Sequence, residues 1–170
     1  MSNKSLVIYF SHTGENYTSA GIRSLEKGNT EVIAEMIQEF TDSDLFQVEA
    51  IHAYPYSYKA CTDAALREKN RNERPELKKY LEDIQAYDTI YIGFPNWWGT
   101  MPMPLFSLLE RLDFRGKTIK PFCTHEGSCM GSSEADLKKL CSGGILKKGL
   151  PVRGSHVYEA KPLVKTWVLE

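Results

Sequence analysis

The 170-residue sequence has little that would place it in a membrane or outside the cell. No apolar stretch approaches the ~20 residues that a membrane-spanning helix needs. Residues 1–5 lead straight into a short apolar run, without the longer apolar segment and cleavage site of a signal peptide. The four cysteines form no CxxC pair and lack the close His/Cys spacing of a metal site. We therefore expect a cytoplasmic protein with reduced cysteines, no bound metal and no membrane contact.

An excess of one charge is also missing. The sequence has 21 Lys and Arg against 22 Asp and Glu, a formal net charge of −1. Such a balance does not favour nucleic acid or an anionic membrane as a partner. Two phosphate-binding patterns are absent too: GxxxxGK[ST], typical of nucleoside triphosphate loops, and GxGxxG, typical of dinucleotide-binding folds. The length, with 42% hydrophobic residues and no repeat or linker, predicts a single domain over residues 1–170.

The first forty residues predict a strand, a polar loop and a helix. Residues 6–10 are an apolar run typical of a buried parallel strand. They break into Ser11-His12-Thr13-Gly14, and a second polar turn, Gly28-Asn29-Thr30, precedes apolar residues at helical spacing. The exposed amides of a helix start attract anions. Hydroxyl donors at Ser11, Thr13 and Thr30 favour a phosphate held without a paired cation, with Gly14 and Gly28 letting the backbone bend. The alternative is a simple turn followed by a helix cap.

Two later strands end in polar, glycine-containing loops of the same kind. Residues 89–94 form a buried-strand pattern that ends in Pro95-Asn96-Trp97-Trp98-Gly99-Thr100. Adjacent tryptophans on a loop cannot both easily enter one core, so at least one is expected to cover a planar apolar ligand. Ordinary core packing is the alternative. Residues 118–123 form the next strand and open into Thr124-His125-Glu126-Gly127-Ser128.

The alternation of strands and helices predicts an α/β fold, an open doubly wound five-stranded parallel sheet with helices on both faces. The expected strand order is 2-1-3-4-5, with the ligand at the switch between strands 1 and 3. Residues 44–51 suit an edge strand, and residues 154–158 suit the fifth strand. Residues 59–74 suit a helix in which the charge run Arg67–Arg74 forms a solvated face. Pro75 is expected to open a further helix with Leu77, Leu81 and Ile84 facing inward.

Together, Ser11–Gly14 and Gly28–Thr30 resemble the phosphate loop of flavodoxins, TxTGxT, split by the thirteen residues from Glu15 to Lys27 as in a bacterial branch of flavodoxin-like proteins. Pro95–Thr100 and Thr124–Ser128 resemble the family's two flavin-lining loops, with Cys129 where glycine is expected. The resemblance implies one non-covalent FMN. The cofactor-binding residues it implies are Ser11, Thr13, Gly14, Asn16, Tyr17, Asn29, Thr30, Pro95, Asn96, Trp97, Trp98, Gly99, Thr100, Thr124, His125, Glu126 and Gly127.

The resemblance implies electron transfer through the flavin to a redox partner protein or a small acceptor. The alternative is an FMN-dependent NAD(P)H:quinone-type oxidoreductase, a monomer or a homodimer. The near-neutral charge favours the oxidoreductase slightly, because carriers of this family tend to be acidic. Tyr17 and the tyrosines at 54–58 also favour the oxidoreductase. A third class is a module that binds flavin without turnover.

Overall fold

A parallel sheet lies at the centre of the fold, between two layers of helices. The computed structural model describes residues 4–170. Its strands are β1 Ser5–Tyr9, β2 Gly14–Thr18, β3 Gly21–Leu25, β4 Asp44–Gln47, β5 Thr89–Pro95, β6 Thr118–His125, β7 Ile145–Leu146 and β8 Leu150–Arg153. Its α-helices are α1 Asn29–Thr41, α2 Tyr58–Asn70, α3 Met103–Leu109, α4 Ser133–Leu140 and α5 Lys161–Val168, and a 3₁₀ helix spans Gly154–Glu159. None of these helices is long and apolar enough to span a membrane.

The central sheet has six strands, so the prediction of five is wrong. Its order is β4-β1-β5-β6, and both β7 and β8 pair with the outer edge of β6. All of these pairs are parallel. The predicted strands 2, 1, 3 and 4 correspond to β4, β1, β5 and β6. Two short strands stand where one fifth strand was expected.

The two faces of the sheet bury two separate cores. Alternation along β1 sends Leu6 and Ile8 to one face and Val7 and Tyr9 to the other, because successive side chains of a strand point to opposite sides. Leucines of α3 and α4 pack on the first face. The apolar stripe of α1 and the α5 residue Trp167 pack on the second. This arrangement leaves the carboxyl ends of β1, β5 and β6 side by side at one edge.

The predicted helix after Pro75 is wrong. Residues 75–87 contain no helix, because the chain that follows β4 offers them backbone partners. The Ile51 amide donates to the Glu76 carbonyl at 2.8 Å, and the Lys78 amide donates to the Glu49 carbonyl at 2.9 Å. Leu77 is buried as expected, but it belongs to an antiparallel bridge with Ala50 and not to a helix. The helical spacing of the apolar residues was therefore not sufficient to identify a helix.

The predicted strand near residues 154–158 is also wrong, because that segment forms the 3₁₀ helix. The strand lies just before it. In β8, Leu150 and Val152 are buried while Pro151 and Arg153 are exposed. Proline donates no backbone hydrogen bond, but β8 pairs only with β6, and an edge strand tolerates that loss.

The segment between the two halves of the polar loop is a β-hairpin. Strands β2 and β3 pair antiparallel from Gly14 opposite Leu25 to Thr18 opposite Gly21. Its base is tied to the segment before α2, since the Glu15 amide donates to the Tyr56 carbonyl at 3.0 Å. Its tip reaches the 3₁₀ helix, where the Ser19 amide donates to Ser155 Oγ at 2.9 Å. The insertion therefore projects beside the carboxyl edge of the sheet.

Candidate functional site

A cavity of about 360 Å³ opens where the carboxyl ends of β1, β5 and β6 meet. The first helix, the hairpin and α2 complete its walls. Eleven of the residues expected from the sequence line it: Asn16, Tyr17, Asn29, Thr30, Pro95, Asn96, Trp97, Trp98, Thr124, His125 and Glu126. The other six expected residues are not part of its lining: Ser11, Thr13, Gly14, Gly99, Thr100 and Gly127.

The start of α1 forms the inner end of the cavity. Ser11 Oγ accepts a hydrogen bond from the Glu31 amide at 3.1 Å, which satisfies one of the free amides of the first helical turn. Thr30 is buried, and its hydroxyl lies 2.8 Å from that of Thr124 on β6. This contact fixes α1 against the sheet. Thr13 is exposed and faces a second surface depression.

The two glycines of the polar loop have different roles. Gly14 has φ of 86°, the left-handed conformation that favours glycine, and it turns the chain into the hairpin. Gly28 has φ of −66°, which any residue can adopt. A side chain at Gly28 is excluded by space, since an added Cβ would lie 2.1 Å from Ser11 Oγ and 2.8 Å from the His12 carbonyl oxygen. The close contact between these two segments therefore depends on Gly28.

Side chains of the hairpin and α2 form the outer wall. The Asn16 amide group donates to the carbonyls of His12 and Gly14 at 3.1 and 3.2 Å, closing the loop on itself. The rings of Tyr17 and Tyr58 lie 6.2 Å apart. Along α2, the small side chains of Cys61, Thr62 and Ala65 face the cavity.

The two tryptophans are held differently. Trp97 is half-buried and packs edge-on against three rings: Tyr54 at 4.9 Å, Phe10 at 5.1 Å and His12 at 5.7 Å. Trp98 is 46% exposed, and its indole N–H donates to the Thr62 carbonyl at 2.9 Å. Trp97 is thus held in place by ring packing, whereas Trp98 links its loop to α2 by a hydrogen bond.

Hydrogen bonds join the loop after β5 to the loop after β6. Asn96 accepts from the Gly99 amide at 2.9 Å and donates to the Cys129 carbonyl at 2.8 Å. The Gly99 carbonyl accepts from both the amide and the hydroxyl of Ser132. Gly99 therefore faces α4, as does Thr100, whose hydroxyl donates to Asp136. Cys129 has φ of 53°, a left-handed conformation that explains why glycine is expected there.

The cavity contains carboxylates but no fixed cation. Within residues 4–170, no lysine or arginine lines it, whereas Glu15 and Glu126 do. Burial lowers the pKa of His12. Burial, and then the charge of Arg153, lower the pKa of His125, whose Nδ1 accepts from the Gly127 amide at 2.8 Å. The positive end of α1 is thus the main attraction for an anion.

Two buried side-chain polar atoms of the described chain have no hydrogen-bond partner: His12 Nε2 and Glu126 Oε2. Both residues line the cavity. Buried polar atoms in folded proteins are nearly always paired, because leaving one unpaired costs roughly 1–3 kcal/mol. Their concentration at one place is what a site for a polar ligand would produce.

A family model described as Flavodoxin matches residues 4–170. The chain belongs to the flavodoxin family. It is 26% identical to Flavodoxin 1 of Escherichia coli over 137 residues, 78% of this chain and 60% of that protein. It therefore spans less than two thirds of the length of the curated relatives it matches.

The chain is also similar to solved structures of flavoproteins. A Bacteroides uniformis protein described as a flavoprotein is 27% identical, with a TM-score of 0.76 and all of both chains covered. A flavoprotein of Lactobacillus acidophilus, solved in complex with FMN, is 23% identical. Its TM-score is 0.63 over 93% of this chain and 98% of its own, which shows a shared fold. The predicted flavodoxin family is confirmed.

Several residues lining the site of this flavodoxin-family chain were not among the predicted cofactor-binding residues, although His12 and Ser128 belong to the predicted loops. They are His12, Glu15, Tyr58, Cys61, Thr62, Ala65, Ser128 and Gly154. Four of them belong to the first turns of α2. The sequence predicted a charged helix over residues 59–74 with its solvated face at Arg67–Arg74. Lys59 and Asp63 form an exposed ion pair in the first turns. The available signal was the spacing of Cys61 and Ala65, which puts two small side chains on one side of the helix.

Proposed function

We propose that the protein binds one FMN non-covalently in this cavity and transfers electrons through it. The observation that carries the proposal is the meeting of three loops, each expected to bind the flavin, around a single cavity at the carboxyl edge of the sheet. Open parallel sheets bind ligands at such a crevice. Bound FMN would supply a carrier for one or two electrons, and the protein would supply binding, orientation and the electrostatic surroundings.

The residues present fit the phosphate end of FMN. We assign the phosphate to the start of α1, where the amides near Asn29 and Thr30 and the dipole of a 13-residue helix favour an anion. The split loop is part of this proposal. Ser11–Gly14 and Gly28–Thr30 are adjacent in space although a hairpin separates them in sequence, so both halves can contribute to one site.

The residues also fit the ring of the flavin. Indole rings make favourable contacts with planar apolar groups, and Trp97 is held in place by three neighbouring rings. The carboxylates of Glu15 and Glu126, and the absence of Lys and Arg from the described lining, disfavour added negative charge. The site should therefore lower the reduction potential of the flavin relative to flavin in water.

Two functions share this site. In the first, the protein carries electrons to a redox partner protein or a small acceptor. The second is an FMN-dependent NAD(P)H:quinone-type oxidoreductase, which Tyr17 and Tyr58 favour because they add aromatic surface at the cavity wall for a planar substrate. We propose the carrier as the main function. Either form would be a monomer or a homodimer.

The test begins with the absorbance spectrum of the purified protein, followed by heat release and identification of the pigment. We expect flavin bands and released FMN, or uptake of added FMN by colourless protein. Failure to bind FMN in either way would refute the proposed function. Steady-state oxidation of NADH or NADPH with a quinone then separates the two candidates. Turnover would identify the oxidoreductase, whereas reduction only through a separate reductase would identify the carrier.

A further inference from the structure

We propose that Glu126 binds the polyhydroxyl chain of the flavin, so that the site recognises the ribityl group through a buried carboxylate. This inference rests on the proposed function, since it assigns a part of the same ligand. Glu126 follows β6, and the structure fixes one of its carboxylate oxygens while leaving the other without a partner.

The fixed oxygen is Glu126 Oε1. It accepts two hydrogen bonds from Ser155, one from the amide and one from the hydroxyl, each of 2.7 Å. Ser155 in turn accepts from the Ser19 amide at the hairpin tip. The carboxylate is therefore held between the loop after β6, the 3₁₀ helix and the hairpin. An orientation set by three segments is suited to a directional contact.

The second oxygen, Oε2, is buried and has no hydrogen-bond partner in residues 4–170. The carboxylate forms no ion pair within this part of the chain. The guanidinium of Arg153 donates instead to the Glu126 backbone carbonyl, at 3.4 Å. A buried, unpaired carboxylate oxygen is costly, and it needs a hydrogen-bond donor. Since Glu126 lines the cavity, the bound ligand can provide that donor.

The position of the carboxylate decides which part of the flavin provides the donor. Gly154 packs so closely that an added Cβ would lie 2.5 Å from Asn29 Nδ2 and 2.9 Å from Glu126 Oε1. Glu126 is thus beside Asn29, the first residue of α1, where we place the phosphate. A carboxylate repels a phosphate and cannot be its direct partner. The polyhydroxyl chain joins the phosphate to the ring, and its hydroxyls are donors that a carboxylate accepts.

Three flavins that differ by one part each provide the test. Lumiflavin has the ring alone, riboflavin adds the hydroxylated chain, and FMN adds the phosphate. Dissociation constants for all three would be measured on wild type, Glu126→Ala and Glu126→Gln. The matched control is Glu134→Ala, which removes a carboxylate that also accepts a backbone amide, from Gly149 at 3.3 Å, but lies outside the cavity.

We expect Glu126→Ala to weaken riboflavin roughly 10- to 100-fold, as for lost hydrogen bonds to a charged acceptor. FMN should be weakened by a smaller factor, because the substitution also removes a negative charge beside the phosphate. Lumiflavin should bind as in wild type. Glu126→Gln keeps one acceptor oxygen and should give the same pattern with a smaller factor. Glu134→Ala should leave all three constants unchanged.

Other patterns would overturn the inference. An equal loss for all three flavins would indicate a contact to the ring or a general distortion of the site. Tighter binding of FMN alone would mean that Glu126 acts only by repelling the phosphate, and unchanged constants would mean that water satisfies Oε2. These outcomes are distinct from failure of the proposed function, in which wild type binds none of the flavins.

Discussion

Gly28 is the position where one added methyl group should separate the two halves of the polar loop. In Gly28→Ala the new Cβ would lie 2.1 Å from Ser11 Oγ and 2.8–2.9 Å from backbone atoms of His12. Contacts below 3 Å do not occur for real Cβ atoms, and a backbone cannot move away as a flexible side chain can. The backbone angles of Gly28 suit alanine, so the whole effect comes from this overlap.

The expected cost has two parts. Overpacking costs roughly 1–3 kcal/mol. Moving Ser11 away also breaks its hydrogen bond to the Glu31 amide, a capping interaction worth about 1 kcal/mol. We therefore expect the free energy of unfolding to fall by about 2–4 kcal/mol. For a chain of this length, that lowers the melting temperature by roughly 4–16 °C. Affinity for FMN should fall more than affinity for riboflavin, because the displaced segment borders the proposed phosphate site.

Urea unfolding and two binding titrations test this prediction. The matched control is Gly144→Ala, whose Cβ would lie 2.4 Å from Ile119 Cδ1 and which is not part of the cavity lining. The control should lose stability but keep the ratio of the two affinities. The reasoning is refuted if Gly28→Ala is as stable as wild type, or if it weakens FMN and riboflavin equally.

Three further predictions concern single side chains. Cys129→Gly should raise the free energy of unfolding by about 1 kcal/mol in a urea titration, because φ of 53° disfavours cysteine; a less stable variant would contradict this. Burial lowers the pKa of His12, so the unfolded chain binds a proton that the folded chain does not. Apoprotein stability should then fall as the pH drops below about 6.5, less steeply in His12→Gln, and equal slopes would disprove the link. Thr30→Val should weaken FMN more than riboflavin in binding titrations, whereas Thr13→Val, at an exposed hydroxyl, should change neither by more than about twofold.

The strands that position the site could be predicted because each is marked by an apolar run within its own few residues. The apolar run of β1 and the run of β5 are buried on both faces, and such strands read as continuous hydrophobic segments. The polar segments that follow them must then lie together at the carboxyl edge. This reasoning placed Asn29, Trp97 and Thr124 around one cavity from the sequence alone.

The errors arose where distant partners decided the conformation. Leu77, Leu81 and Ile84 have helical spacing, but the backbone of residues 49–51 offered hydrogen bonds that a helix would have excluded. The shift from residues 154–158 to β8 has the same origin. A short edge strand with a proline has a weak local pattern, and its place is set by pairing with β6.

The α2 wall of the cavity shows a further limit of sequence reasoning. In most crossovers of an open sheet the helix covers the sheet, but α2 buries only Cys61 and Ala65 fully. The charged residues of α2 correctly predicted that one side of the helix is exposed. They gave no sign that small residues on another side line the cavity. Small side chains leave room beside the helix, and the hydrogen bond from the Trp98 indole to the Thr62 carbonyl ties the helix to the loop after β5. A helix with little core contact can therefore form a wall of the site, because contacts with the loop after β5 hold it in place.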